Sequence, residues 1–193
     1  MAQAKRKSSN GGTGSKTRNT GETRPSRTAG REDAIALLKA DHREVEGYFE
    51  EFEKARSADR KQDLAQRICG ALTVHATIEE EIYYPAFLKA TDEEDLHHEA
   101  VVEHEGAKRL IAEIEASGPD DDYFDAKVTV LSEMIKHHVK EEEQPDGLFA
   151  KSRQSEMDLE ALGEQLAARK AELMNDIPSK SSDRQAGGDL RDR

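Results

Sequence analysis

An imidazole and a carboxylate four residues apart on a helix stand one above the other and point the same way. The chain carries that pair in line with an apolar seam at His75 and Glu79 and again at His138 and Glu142. Each pair continues an apolar seam: Leu64, Ile68, Leu72, His75, Glu79 and Ile82 in one stretch, and Val128, Leu131, Ile135, His138 and Glu142 in the other. Steps of three and four put all of these on the side that a helix turns to a core. Two ionisable groups per helix aimed into a core are costly unless something pairs with them. Two such helices facing each other gather nitrogen and oxygen donors around metal.

The same periodicity organises the rest of the chain. A first helix is expected from about Arg31 to Ala55, with Ile35, Leu38, His42, Val45, Phe49 and Phe52 along one face. A second follows the Ser57-Ala58-Asp59 turn and is expected to end near Pro85, since proline fits poorly inside a helix. Thr91-Asp92-Glu93-Glu94 has the pattern of a capping box and opens a third helix, Asp92 to Ser117, which stops at Gly118-Pro119. Its seam reads His97, Ala100, His104, Ala107, Ile111 and Ile114. Asp120 to Asp122 offer caps for the fourth helix, which ends at Gln144-Pro145-Asp146-Gly147. A shorter fifth helix is expected from Ser155 to Met174, with Leu159, Leu162, Leu166 and Leu173 on one side.

Four long helices and short connections predict an all-α fold, an antiparallel up-down-up-down four-helix bundle with an additional C-terminal helix. The expected division is a bundle over 31–150, the C-terminal helix over 151–175, and disordered tails at 1–30 and 176–193. Both tails lack an apolar period and cannot repay the entropy of ordering. In such a bundle His42, His75, His104 and His138 each lie well inside a helix and meet at a similar depth.

A single histidine on an apolar face is more often a satisfied core residue than a ligand. Four helices with one each are different: if a seam covers about a third of a helix, chance gives roughly one in eighty. In the fourth helix His137 and Glu141 share the spacing of His138 and Glu142, but only the latter pair extends the Leu131 and Ile135 line. Glu80, Glu81, Glu141 and Glu143 read as a solvated face, with Glu80 placed to back a ligand. Tyr83 and Tyr84 read as packing residues, and His97 and His98 as surface residues at a helix start.

Charge narrows the function classes. The whole chain is −12, and residues 1–30 hold seven Lys or Arg against one acid, +6, so the remainder is −12 − 6 = −18. A body so acidic repels phosphate, which argues against nucleic acid as a partner of the folded part, and it suits cations. The single cysteine, Cys69, leaves no internal disulfide, and no run approaches the ~18 apolar residues of a membrane span. The basic N-terminus has no apolar stretch after it, so a cytoplasmic location is expected.

Taken in order, Asp41-His42, His75 through Glu79-Glu80 to Tyr84-Pro85, Glu103-His104, and His137-His138-Val139-Lys140-Glu141-Glu142-Glu143 resemble the hemerythrin-like, or HHE cation-binding, domains over about residues 32–150. The resemblance implies two iron ions bridged by two carboxylates and an oxygen species and capped by imidazoles. Carried over residue by residue, Glu79 and Glu142 are the implied bridges, and His42, His75, His104 and His138 the nitrogen ligands. The implied small ligand is dioxygen or peroxide, and a non-catalytic iron or oxygen sensor, or an iron buffer, would use the same side chains.

Two departures stand out. Ala100 replaces a histidine that the animal oxygen carriers of the family place before His104, which leaves one ion more open. Leu148-Phe149-Ala150 departs from a proline-containing continuation and is expected to affect only a loop. A ferritin-like site, with Glu-x-x-His on two helices, and a zinc hydrolase motif, His-Glu-x-x-His, are both missing from the expected helices.

Overall fold

A computed structural model describes residues 33–176. The tails expected at 1–30 and 176–193 lie outside these residues, apart from Asp176. The helices are α1 (Ala34–Lys54), α2 (Ala58–Ile78), α3 (Tyr84–Ala90), α4 (Glu94–Ala116), α5 (Phe124–Glu143), α6 (Leu148–Gln154) and α7 (Leu159–Asp176). A π-helical turn, Glu79–Tyr83, joins α2 to α3 without a break. Among the described residues there is no strand.

The long helices α1, α2, α4 and α5 form the antiparallel bundle: α1 packs on α2 and α5, and α4 packs on the same two. Three starts are capped by side chains, one of them that of α7, where Asp158 accepts from the Ala161 N–H at 3.0 Å. Asp33 accepts from the Ala36 N–H at 2.8 Å, and Ser57 from that of Arg60 at 3.3 Å, each worth about 1 kcal/mol.

Four expectations about boundaries need correction. The second helix does not stop at Pro85. The π turn widens the helix just ahead of it, where the Tyr84 N–H bonds to the Glu79 carbonyl five residues back, and Pro85 then sits in the first turn of α3. There its missing N–H costs nothing. The capping box does not form either. Thr91 Oγ1 donates back to the Phe87 carbonyl at 2.9 Å and closes α3, while the Glu93 carboxylate is taken by Lys151 at 2.6 Å.

At the start of α5 the cap position falls to Tyr123; Asp121 instead holds the turn before it, accepting from the Tyr123 N–H at 2.8 Å. The fifth helix begins at Leu159 rather than Ser155, and Leu148-Phe149-Ala150 is the buried first turn of a separate short helix, α6, rather than a loop. Phe149 stacks on the His42 ring at 5.7 Å, so this segment closes the bundle over that histidine.

The core is divided in two. Val45, Phe49, Phe52, Leu64, Ile68, Leu72, Ile111, Phe124, Leu131 and their neighbours fill one half. Ile35, Leu38, Ile78, Tyr83, Tyr84, Phe87, Ala100, Leu148 and Phe149 fill the other, which Leu162 and Leu166 of α7 cover. Along α1, α2 and α4 the chain crosses from one half to the other at His42, His75 and His104, so a polar layer separates the two.

One glycine is required by close approach. A Cβ on Gly147 would stand 2.0 Å from the Glu141 carbonyl oxygen and 2.7 Å from that of Glu142. Both are backbone atoms at the end of α5, so neither can swing aside. Gly147→Ala is expected to destabilise by about 2 kcal/mol or more, read as a lower urea midpoint with unchanged slope; an unchanged midpoint would show that α6 can move away freely.

Candidate metal centre

The polar layer consists of His42, His75, Glu79, His104, His138 and Glu142, all buried, with Glu79 fully inaccessible and Glu142 at 1%. The three- and four-residue spacing that aligns them with the seams is what brings them inward. His42 Nε2 and His75 Nε2 lie 3.1 Å apart, and His104 Nε2 and His138 Nε2 3.2 Å apart. Glu79 Oε2 stands 3.3 Å from both His75 Nε2 and His104 Nε2, and Glu142 Oε2 stands 3.4 Å from His42 Nε2 and 3.7 Å from His138 Nε2. Two groups able to hold a metal ion result, one of His42, His75, Glu79 and Glu142 and one of Glu79, His104 and His138, with Glu79 common to both.

Behind each imidazole stands a carboxylate from a neighbouring helix. Glu143 lies 2.9 Å from His42 Nδ1, Glu80 2.9 Å from His104 Nδ1, Glu103 2.8 Å from His138 Nδ1, and Asp41 3.5 Å from His75 Nδ1. A proton held on Nδ1 leaves the Nε2 lone pair facing inward, which is the arrangement of metal-ligating histidines. Glu143 is thus turned inward rather than lying on a solvated face, and Asp41 and Glu103, which the helical period does not single out, do the same work. Three of these acids are tied in turn to fixed positive charge: Asp41 to Lys170 of α7, Glu80 to Lys108, and Glu143 to Lys39 and Arg43.

Tyr84 does more than pack: its hydroxyl lies in the centre. It lies 3.2 Å from Glu142 Oε1, 3.3 Å from His104 Nε2 and 3.4 Å from Glu79 Oε2. The π turn is responsible. Five residues along a regular helix leave two side chains roughly 140° apart, whereas the wider turn returns Tyr84 to the face of Glu79. Tyr83 does pack, with its hydroxyl 2.7 Å from Ser152 Oγ of α6. His97 is half-buried rather than superficial, its ring edge-on to Tyr84 at 5.6 Å, and it stands outside both donor groups. Ala100 is buried in the same apolar cluster as Tyr84.

The electrostatics are those of a site built for cations. Burial works against a charge on His42, but the Glu142 and Glu143 carboxylates on either side more than offset it and push its pKa up to about 9. His138 is likewise raised to about 9, burial being outweighed by Glu142, Glu103 and Glu79. Burial opposes the charge on Glu142 too, yet the surrounding imidazoles hold it down to about 2. Burial and the charges of Glu79 and Glu142 push the Tyr84 phenol well above its ordinary range, so it keeps its proton. Without metal, then, protons on His42 and His138 supply positive charge to this layer.

The residues present fit metal ions in two further respects. Glu79 Oε1 and Glu142 Oε2 are buried and make no hydrogen bond, an arrangement that is costly unless a cation takes the free lone pairs. The two Nε2–Nε2 separations match the edge of an octahedron, roughly 3 Å for bonds of about 2.1 Å.

The family model of the Hemerythrin HHE cation binding domain matches residues 33–146, more than half of the chain. The chain belongs to this family. The crystal structure of a hemerythrin HHE cation binding domain-containing protein from Mycobacterium kansasii superposes with a TM-score of 0.58 at 20% identity, over 74% of this chain and 88% of that one, and shows a shared fold. A DNA nickase from Nostoc sp. (strain PCC 7120 / SAG 25.82 / UTEX 2576) is 30% identical over 110 residues, 55% of this chain and 30% of the nickase. The matched region therefore spans under a third of that relative's length. In this HHE domain the matched residues take in α1 through α5, which carry all six donors of the polar layer.

Proposed function

We propose that this HHE domain holds two iron ions between Glu79 and Glu142, with His42, His75, His104 and His138 as nitrogen ligands, and that dioxygen or peroxide reacts there. The observation that carries the reading is the pair of donor groups sharing Glu79. Two such groups with a common carboxylate suit two ions side by side. Mixed imidazole and carboxylate donors suit a borderline ion such as iron. Two ferrous ions bound there would supply two electrons to dioxygen or turn over hydrogen peroxide.

The chain's own residues do the rest. Asp41, Glu80, Glu103 and Glu143 fix the imidazole rings with Nε2 inward. Tyr84 holds a proton on its hydroxyl oxygen within reach of both bridging carboxylates. Access is provided by a cavity of about 1170 Å³ that runs from Tyr48, Arg67 and Met174 past Leu72, Ile111 and Ile135 to all four histidines. It is far wider than a diatomic ligand requires.

Metal analysis with optical spectroscopy of protein from iron-replete cells tests the centre. Two irons per chain with an oxo-bridge charge-transfer band are expected. Steady-state oxygen evolution from peroxide tests the reactivity, and turnover no greater than that of free iron would remove it. Tyr84→Phe is expected to keep both ions and lower turnover by about a hundredfold, the scale of a lost proton donor; unchanged turnover would mean that the hydroxyl only fills space.

A sensor or buffer is favoured by one contact, the tie from Lys170 of α7 through Asp41 to His75. It connects occupancy of the centre to a helix outside the bundle. A thermal melt that is untouched by chelation would exclude a metal-gated sensor. DNA nicking is not carried over from the cyanobacterial relative, because the match covers 30% of that protein and the −18 body here repels phosphate.

A further inference from the structure

Of the four carboxylates that back the imidazoles, three are paired with lysine or arginine. Glu103 is the exception. Among the described residues no lysine or arginine pairs with it, and His137 stands in that place. One Glu103 oxygen accepts from His138 Nδ1 at 2.8 Å, and the other lies 3.3 Å from His137 Nε2. Glu141, one turn further along α5, brings an oxygen to 3.1 Å from the same nitrogen.

These three side chains come from two helices and have donor atoms within 4.8 Å of one another. His137 is 60% exposed, and Glu103 and Glu141 are 21% and 27% exposed. The His137 and Glu141 spacing repeats that of His138 and Glu142 one residue out of phase, which turns it from the core toward the surface. An imidazole and two carboxylates form a mixed donor set that suits ferrous or zinc ion better than calcium, which prefers oxygen alone.

We propose that Glu103, His137 and Glu141 capture one divalent cation at the surface and deliver it to the interior centre through the His138 corner. Delivery rests on the metal reading above; capture stands without it. At Asp41, Glu80 and Glu143 a dication has to compete with an ammonium or guanidinium already paired to the carboxylate. At Glu103 it meets two carboxylates and an imidazole, one imidazole ring away from the interior. Local negative charge of this kind raises the rate at which a cation arrives.

The test uses the full chain and two variants, His137→Lys and Glu141→Gln. His137→Lys gives this corner the same fixed charge as the other three, and the exposed position accepts it without loss of fold, which an unchanged melt verifies. With the interior already loaded with iron, equilibrium dialysis against Co²⁺ should add one cobalt per chain to the wild type and none to either variant. Cobalt retained equally by His137→Lys, or not bound by the wild type, overturns capture. Ferrous uptake by metal-free protein, followed by stopped flow, should slow roughly tenfold or more in His137→Lys with the same final iron content. An unchanged rate overturns delivery. If the metal-free chain takes up no iron in its interior, the di-iron reading falls, and the cobalt difference between wild type and His137→Lys still decides capture.

Discussion

Glu79→Gln is expected to leave a folded bundle that no longer retains its metal. Glu79 is the donor common to both groups, 3.3 Å from His75 Nε2 on one side and from His104 Nε2 on the other, and it is fully buried at the π turn. Glutamine keeps the shape and removes the charge, so the packing of Tyr84 and Ile78 around it is preserved. The loss of affinity should exceed the roughly 10- to 100-fold of a change behind the ligands. Dialysis followed by metal analysis reads it directly. Glu142→Gln should act in the same direction, since Glu142 stands beside His42 and His138. Glu81→Gln, at an exposed carboxylate two residues from Glu79 that pairs with Arg169, is the control and should keep its metal. Full retention of two ions by Glu79→Gln would mean that the bridge lies elsewhere.

The bundle and the inward direction of the six donors are legible in the sequence because both depend on helical period alone. His42, His75 and His104 occupy positions where an apolar residue would be equally consistent with the seam, and Glu79 and Glu142 extend the line by one further turn. What lay beyond the sequence depends on the neighbouring helix or on a local change of period. Each backing acid is next to a donor in sequence: Asp41 before His42, Glu80 after Glu79, Glu103 before His104, Glu143 after Glu142. One residue of offset places an acid at the edge of its seam, from which it crosses to the histidine of an adjacent helix. Of the four, the sequence alone places only Glu80 behind a ligand; Glu143 reads as part of a solvated face, and nothing in the helical period singles out Asp41 or Glu103. Tyr84 was hidden for a different reason. A uniform period turns it away from Glu79, and only the π turn, which no residue type announces, restores it. The same turn explains why Pro85 failed to mark a helix end.

Removing the metal is expected to make stability depend on pH in a window that the buried layer sets. His42 and His138, raised to about 9 in the folded protein from 6.5, contribute stability that is fully present below pH 6.5 and is lost as pH rises through 9. Glu142 and Glu143, lowered to about 2 from 4.5, contribute stability that is present above pH 4.5 and is lost as pH falls through 2. The metal-free chain should therefore be most stable between pH 4.5 and 6.5, and its Tm should fall by on the order of 10 °C toward pH 9.5. Bound cations replace those imidazole protons, so the alkaline loss should vanish in the loaded protein, and metal affinity should climb over the same range as protons cease to compete. Melts from pH 5 to 10 with and without chelator measure both effects. A metal-free Tm that stays level between pH 6 and 10 would mean that protons do not stand in for metal at His42 and His138, and the charge balance drawn for the centre would have to be abandoned.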